Sequence, residues 1–388
     1  MQRTVEKVFF ALIRFEIKGD ELCEDVKNLI TPDVLPALFK LSKRHDLAHL
    51  IGDALDKNGL LPDGTEVKKR FLQERNMAIY RYEQIQYELE CICEALEKAQ
   101  IPFIPLKGSV LRQYYPEPWM RTSCDIDILV AEALAETAKN CLVAALHYTC
   151  GEKTTHDISL HAESGVHLEL HFDLIEEYIF ENNKPLLKDV WDVALIKEGC
   201  GYHREMSDEV FYFYHIAHMA KHFKNGGCGI RPILDDWVLN KIPKNKQARE
   251  DLLKEGNMGQ FSEAIHRLSD CWFLDEAHTP LTLEMEQYIL NGGVYGSTEN
   301  RAAVQQARKG GKIRVLLSRI FLSYDLLRVQ FPILNKHKIM LPFCQMARWW
   351  HLLFGKRAKI AKRELEANMS VSKDKKARTE NLLKKLGF

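Results

Sequence analysis

The sequence predicts an α+β fold, a small mixed sheet core flanked by helical regions, and three observations predict it. Residues 1 to 100 carry helical periodicity, clearest in "RFLQERNMAIYRYEQIQYELECICEALEKAQ", where Ile85, Leu89, Ile92 and Leu96 recur at spacings of four, three and four. Two later stretches, "DIDILV" at 125 to 130 and "GVHLELHFDL" at 165 to 174, alternate apolar and polar residues with the period of a half-buried strand. From about residue 184 to 342 the helical character returns. A chain of 388 residues suggests two or three domains.

Taken in order, the long N-terminal pattern is an amphipathic stripe whose work is packing. "IPFIPL", from Ile101, is short, β-rich and interrupted by Pro102 and Pro105, which places a strand at or near a sheet edge. Ser109 to Tyr115 reads as a short helix stopped by "PEP" at 116 to 118. In "DIDILV", Ile126, Ile128 and Val130 share one face, and Asp125, Asp127 and Leu129 the other. A helix follows over roughly 131 to 146. In the second alternating stretch, Val166, Leu168, Leu170 and Phe172 oppose His167, Glu169, His171 and Asp173. "DEVFYFYHIAHMAKHFK" and "GIRPILDDWVLNK" are the most structured pieces of the second helical half. The expected organisation is an N-terminal helical region over 1–100, a core over 101–182, a C-terminal helical domain over 183–345 and a basic tail over 346–388.

Lys plus Arg equals Asp plus Glu at 54 each, so a nucleic-acid role would need a local basic patch. The last 41 residues hold 12 Lys or Arg and 4 acidic residues and form such a tail, helical at most and with little to bury. It lacks interleaved aromatics, which points to weak, non-specific nucleic-acid contact. "KIMLPFCQMARWWHLLFGKRAKIAKR", 338 to 363, sets Trp349, Trp350 and Phe354 before a basic cluster, the look of a helix that lies at a membrane interface or packs on its neighbours. No apolar run is long enough to span a bilayer, and the first 20 residues do not read as a signal peptide. Ten cysteines at spacings that match no zinc pattern point to reduced thiols and a cytoplasmic location.

Side chains at i and i+2 of a strand point to the same side, so Asp125 and Asp127 are neighbours and repel unless a cation sits between them or one takes up a proton. Glu169, on the polar face of the other alternating stretch, is a third carboxylate. Three carboxylates on one sheet face can hold Mg²⁺ (or Mn²⁺), which prefers oxygen ligands, and two such ions clamp the entering and leaving oxygens of a phosphoryl displacement. Lys107-Gly108-Ser109 adds a turn where backbone can approach a phosphate.

This order of Gly-Ser turn, short helix, Asp-x-Asp strand and later acid resembles the nucleotidyltransferase superfamily typified by DNA polymerase β. "LKGSVLRQYYPEPWMRTSCDIDILV" with "VHLELHF" is similar, more narrowly, to the bacterial family of uncharacterised nucleotidyltransferases. The similarity extends through "HIAHMAKHF", "GIRPILDDW" and "YGSTENR" to "SYDLLRVQFPIL", most of residues 70 to 350. Glu169 stands where many members have Asp.

The resemblance implies a polymerase β-like core in which Asp125, Asp127 and Glu169 ligate metal, Lys107, Gly108 and Ser109 bind phosphate, and Arg121 lies beside the site. It implies transfer of a nucleoside monophosphate from an NTP to an acceptor (a protein, small molecule, sugar or RNA end) with release of pyrophosphate. A non-catalytic nucleotide-binding or scaffold protein of the same fold is the alternative.

Further candidates lie around this set. His171 shares the face of Glu169 and can orient an acceptor hydroxyl or tune the metal. Arg231 and Asp235 are four apart on an expected helix, a spacing that suits an ion pair or a substrate-facing role. His215, His218 and His222 line one helix face with no accompanying glutamate, so a polar seam fits them better than a metal.

Overall fold

The computed structural model describes residues 2–174, 187, 190–241, 245–294, 296–354 and 358–388. They form two compact units, one of residues 1–219 with 230–278 and one of 220–229 with 279–388. The expected boundary at 182–183 lies outside the described residues.

The first unit opens with α1 (Gln2–Lys18), α2 (Glu24–Leu29), α3 (Leu35–Arg44), α4 (Ala48–Lys57) and α5 (Glu66–Lys98). Thr65 starts α5 by accepting the Lys68 N–H on Oγ1. The helix buries Phe71, Ala78, Ile85, Leu89, Ile92 and Leu96, the stripe its periodicity predicts. Its first turns cross α4 closely: a Cβ on Gly52 would stand 2.9 Å from the Phe71 carbonyl oxygen, so only glycine fits.

The sheet has five strands, β1 (Phe103–Pro105), β2 (Asp125–Val130), β3 (Thr149–Lys153), β4 (Asp157–His161) and β5 (His167–His171), in the order β1-β2-β5-β4-β3. Among the named strands of this sheet only β2 and β5 pair in parallel. Between β1 and β2 come the short α6 (Gly108–Leu111) and two 3₁₀ turns, and α7 (Ala135–Leu146) follows β2. β1 pairs with β2 alone among the named strands, the edge position its prolines imply. One sheet face, with Ile126, Ile128, Val130, Leu168 and Leu170, joins Ile92 and Leu96 of α5 and Ala138 and Leu142 of α7 in a single core. The opposite face carries the carboxylates. The sequence reading did not anticipate β3 and β4. All five β3 residues are exposed, so no burial pattern marks that strand, and a turn in which Thr154 Oγ1 donates to Asp157 Oδ1 separates it from β4.

Beyond the core come α8 (Val190–Val193) and a hairpin of β6 (Leu195–Ile196) and β7 (Arg204–Glu205). Phe103 N–H donates to the Tyr202 carbonyl, and the Glu97 carboxylate accepts from the N–H groups of Gly201, Tyr202 and His203. α9 (Asp208–Lys224), α10 (Arg231–Asn240), α11 (Lys246–Glu255) and α12 (Gly259–Phe273) follow, and Trp272 of α12 stacks on Phe10 of α1 at 4.8 Å.

The second unit contains α13 (Pro280–Leu290), α14 (Thr298–Lys309), α15 (Lys312–Ile320), α16 (Tyr324–Gln330), α17 (Leu341–Phe354), α18 (Ala358–Ser370) and α19 (Lys373–Lys385). The basic tail therefore has more to bury than its composition suggested. Ala367 and Val371 pack with Ala302 and Ala303 of α14, and Leu382, Leu383 and Leu386 are buried. Its lysines crowd the exposed faces and mask this short apolar stripe. Among the described residues no helix is long and apolar enough to cross a membrane.

Candidate active site

Strand register brings the expected carboxylates together. Asp127 stands opposite Glu169 on the parallel pair β2–β5, with Asp125 opposite His167 and Leu129 opposite His171. Ligand atoms of Asp127, Glu169 and His171 lie within 4.8 Å of one another, as do those of Asp125, His167 and Glu169. His171 Nε2 is 2.8 Å from Asp127 Oδ1 and 3.3 Å from Glu169 Oε2. Lys107 Nζ donates to the same Asp127 Oδ1 at 2.7 Å.

The three carboxylates differ in charge state because their partners differ. Burial opposes ionisation of Asp127, but the Lys107 ammonium and the His171 hydrogen bond outweigh it and hold the carboxyl well below its usual range. The His171 hydrogen bond likewise lowers Glu169. Asp125 has no such hydrogen bond: burial, then the charges of Asp127 and Glu169, raise it, and the charges of Lys107 and His167 offset this only in part. Its carboxylate makes no side-chain hydrogen bond or ion pair among the described residues. Burial disfavours the charged forms of His171 and Lys107, and their carboxylate partners raise both in spite of it. A cluster of three acids with one lysine and the two histidines His167 and His171 leaves Asp125 raised, and its oxygen-rich donor set fits a hard divalent cation there.

The turn at Lys107 is strained, with φ of 44° at a non-glycine residue. It aims the lysine at Asp127 across a continuation of the sheet, where Leu106 N–H donates to the Asp127 carbonyl. Gly108 sits at a close approach: a Cβ there would meet Arg121 Nη1 and Ser123 Cβ at 3.1 Å, and these side chains would have to give by a few tenths of an ångström. The N–H groups of Ser109 and Val110 donate within the turn, to the carbonyls of Leu106 and Lys107, so they are not open to an anion as the sequence suggested. Ser109 Oγ is buried without a hydrogen-bond partner among the described residues.

Arg121, Arg231 and Asp235 form a buried network beside the carboxylates. Arg121 holds Asp235 with two hydrogen bonds, Nε to Oδ1 at 3.1 Å and Nη2 to Oδ2 at 2.9 Å, and its Nη1 donates to the Thr122 carbonyl. Tyr115 donates to Asp235 Oδ1 as well. The spacing of Arg231 and Asp235 suggested a mutual ion pair, but Arg231 pairs with Asp46 at 2.8 Å and donates to Thr122. Stronger partners from other elements override the helical neighbour. These charged groups brace the 115–122 segment against α10, and Arg121 commits Nε, Nη1 and Nη2 to Asp235 and Thr122.

His215 is tied to the Pro232 carbonyl at 2.9 Å, and none of His215, His218 and His222 joins a group of potential ligands among the described residues. Sequence reasoning passed over two nearby groups. His167 was legible from the alternation that exposed Glu169. Tyr214 of α9 is buried within reach of Lys107, Asp127 and Glu169, with its hydroxyl pushed up to about 12 by burial, and no local pattern announces it. A cleft of about 580 Å³ borders the turn at Ser109 and Arg112, with Tyr82 and Gln86 of α5 on its wall, and the three carboxylates do not line it. All ten cysteines are free thiols.

A family model described as uncharacterised nucleotidyltransferase matches residues 34–273. The matched span begins ahead of the residues that carried the resemblance and ends short of them. No curated protein and no solved structure gives a significant match to the chain.

Proposed function

Because the chain belongs to the uncharacterised nucleotidyltransferase family, we propose that it transfers a nucleoside monophosphate from an NTP to an acceptor hydroxyl on a polymerase β-like core. The observation that carries this reading is the placement of Asp125, Asp127 and Glu169 on one polar sheet face, with Asp127 and Glu169 in direct register. Magnesium or manganese bound by these three residues would supply charge neutralisation of the triphosphate and lower the cost of forming the acceptor oxyanion.

In this account Asp125 and Asp127 form the nucleotide side of the site. Glu169, half-exposed, lies on the acceptor side and takes the proton of the attacking hydroxyl on its carboxylate. The acceptor oxygen then forms a bond to the α-phosphorus, the bond from the α-phosphorus to the bridging oxygen breaks, and pyrophosphate leaves. His171, bonded to both Asp127 and Glu169, fixes the orientation of the two carboxylates. Lys107 and the Gly108 backbone face the phosphates, and the Arg121–Asp235 network holds the segment that backs them. Chemistry of this type depends on positioning and electrostatics, so the chain needs no covalent intermediate.

One observation favours a second reading, a nucleotide-binding protein without turnover: the Lys107 ammonium already neutralises Asp127. Incubation of the protein with α-labelled and γ-labelled NTPs, divalent metal and a cell extract separates the two. Transfer predicts label on an acceptor from the α position only, and no label from either position supports the binding protein.

A further inference from the structure

The second unit exposes a basic, apolar surface that the nucleotidyltransferase reading does not use. Helix α17 and the turn before it present Ile339, Phe343, Met346 and Trp350 at spacings of four, three and four, exposed by 85, 63, 61 and 66%. Helix α15 presents a second such stripe, Ile313, Leu317 and Ile320. The two helices are joined: Trp349 Nε1 donates to the Ile320 carbonyl at 2.7 Å, Arg348 donates to the carbonyls of Arg319 and Ile320, and the exposed Phe321 ring meets Trp349 edge to face. The stripe on α17 is not a core face left open by chance. The same helix buries Cys344 with Leu327 and Leu334, so its packing requirement is met on another face.

Charge identifies what covers this surface. Residues 312 to 350 hold seven Lys or Arg and a single acidic residue, Asp325, in a chain whose net charge is zero. Arg314, Arg328, Lys336 and Lys338 among them are exposed, and on α18 the exposed Lys359, Lys362 and Arg363 outnumber Glu364 and Glu366. Soluble surfaces seldom carry this many large apolar side chains together. A protein partner would bury the apolar stripes, but an acidic bilayer matches both features at once. Apolar side chains enter the headgroup boundary while lysines and arginines meet anionic lipid.

We propose that α15 to α17 form a docking surface for an anionic lipid bilayer, on which the protein lies without spanning it. The inference is independent of the nucleotidyl transfer reading.

Co-sedimentation of the full chain with vesicles tests it. The protein should pellet with phosphatidylcholine vesicles that contain phosphatidylglycerol and not with phosphatidylcholine alone, and added salt should weaken the binding. Ile339→Asp with Phe343→Asp should weaken it about tenfold or more, as should Lys336→Glu with Lys338→Glu. Both positions in each pair are exposed, so the thermal unfolding of the variants should match wild type. No binding to anionic vesicles, or equal binding by the aspartate variant, overturns the proposal. So does a stable dimer in light scattering that the aspartate variant abolishes, which would make the surface an interface between two copies.

Discussion

Asp127 and Glu169 face each other directly across the parallel strands β2 and β5, and His171 Nε2 bonds to both carboxylates. This placement divides the Asp-x-Asp pair into unequal halves. Asp127 is buried and doubly bonded, by Lys107 and His171. Asp125 has no such bond, and burial with the charges of Asp127 and Glu169 outweighs the favourable charges of Lys107 and His167. The two aspartates are equivalent in sequence pattern but not in energetics.

The first prediction follows for Asp125→Asn. Removing a charge raised against burial and two nearby acids relieves repulsion at no hydrogen-bond cost, so metal-free thermal stability should stay level or rise. Transfer activity should be abolished. Near-wild-type activity in this variant would remove Asp125 from the metal site.

Asp127→Asn should behave differently. It leaves the Lys107 ammonium buried without its counter-charge, a change that typically costs about 3–5 kcal/mol. Chemical denaturation should show that loss, and Lys107→Met added to Asp127→Asn should recover much of it. A stability change as small as that of Asp125→Asn would show that the Lys107 pair carries little energy.

Much of the site was legible in the sequence because strand alternation is local. "DIDILV" and "HLELH" place Asp125, Asp127, Glu169 and His171 on polar faces before any tertiary contact is known. The partners were not legible. Arg121 finds Asp235 at a separation of 114 residues and Arg231 finds Asp46 at 185, and nothing in the i, i+4 spacing of Arg231 and Asp235 discloses either. The exposed edge strand β3 carries no burial pattern to read. The spent N–H groups of Ser109 and Val110 depend on the unusual backbone at Lys107, which residue identity does not announce.

The Arg121–Asp235 pair should be a stability element first. Burial works against both ions, and the Arg121 charge together with its hydrogen bonds holds Asp235 below the usual carboxylate range in spite of it. Arg121→Met should destabilise the protein by roughly 3–5 kcal/mol, and combination with Asp235→Leu should be less destabilising than the sum of the single changes. Strictly additive effects in that double-mutant cycle would contradict the pairing.

Glu16 supplies a pH signature remote from the site. Burial raises its carboxyl from 4.5 to about 7, against the pull of Lys57, whose Nζ lies 2.8 Å from Oε2. A folded-state pKa above the unfolded value means that stability is fully present below 4.5 and is lost as pH rises through about 7. Glu16→Gln cannot titrate, so its stability relative to wild type should climb across that window. A difference between the two proteins that stays constant with pH would rule the shift out.

Asp125, Asp127 and Glu169 should together hold a divalent cation with the nucleotide. Calorimetric titration of Mn²⁺ into the protein saturated with an α,β-methylene NTP analogue measures this without turnover. Wild type should bind the metal more tightly with the analogue than without it, and Asp125→Asn should lose that gain. Glu169→Gln should weaken nucleotide-dependent binding only a few-fold, with its main loss in the chemical step, about a hundredfold or more. Equal Mn²⁺ binding by wild type, Asp125→Asn and Glu169→Gln would contradict the account.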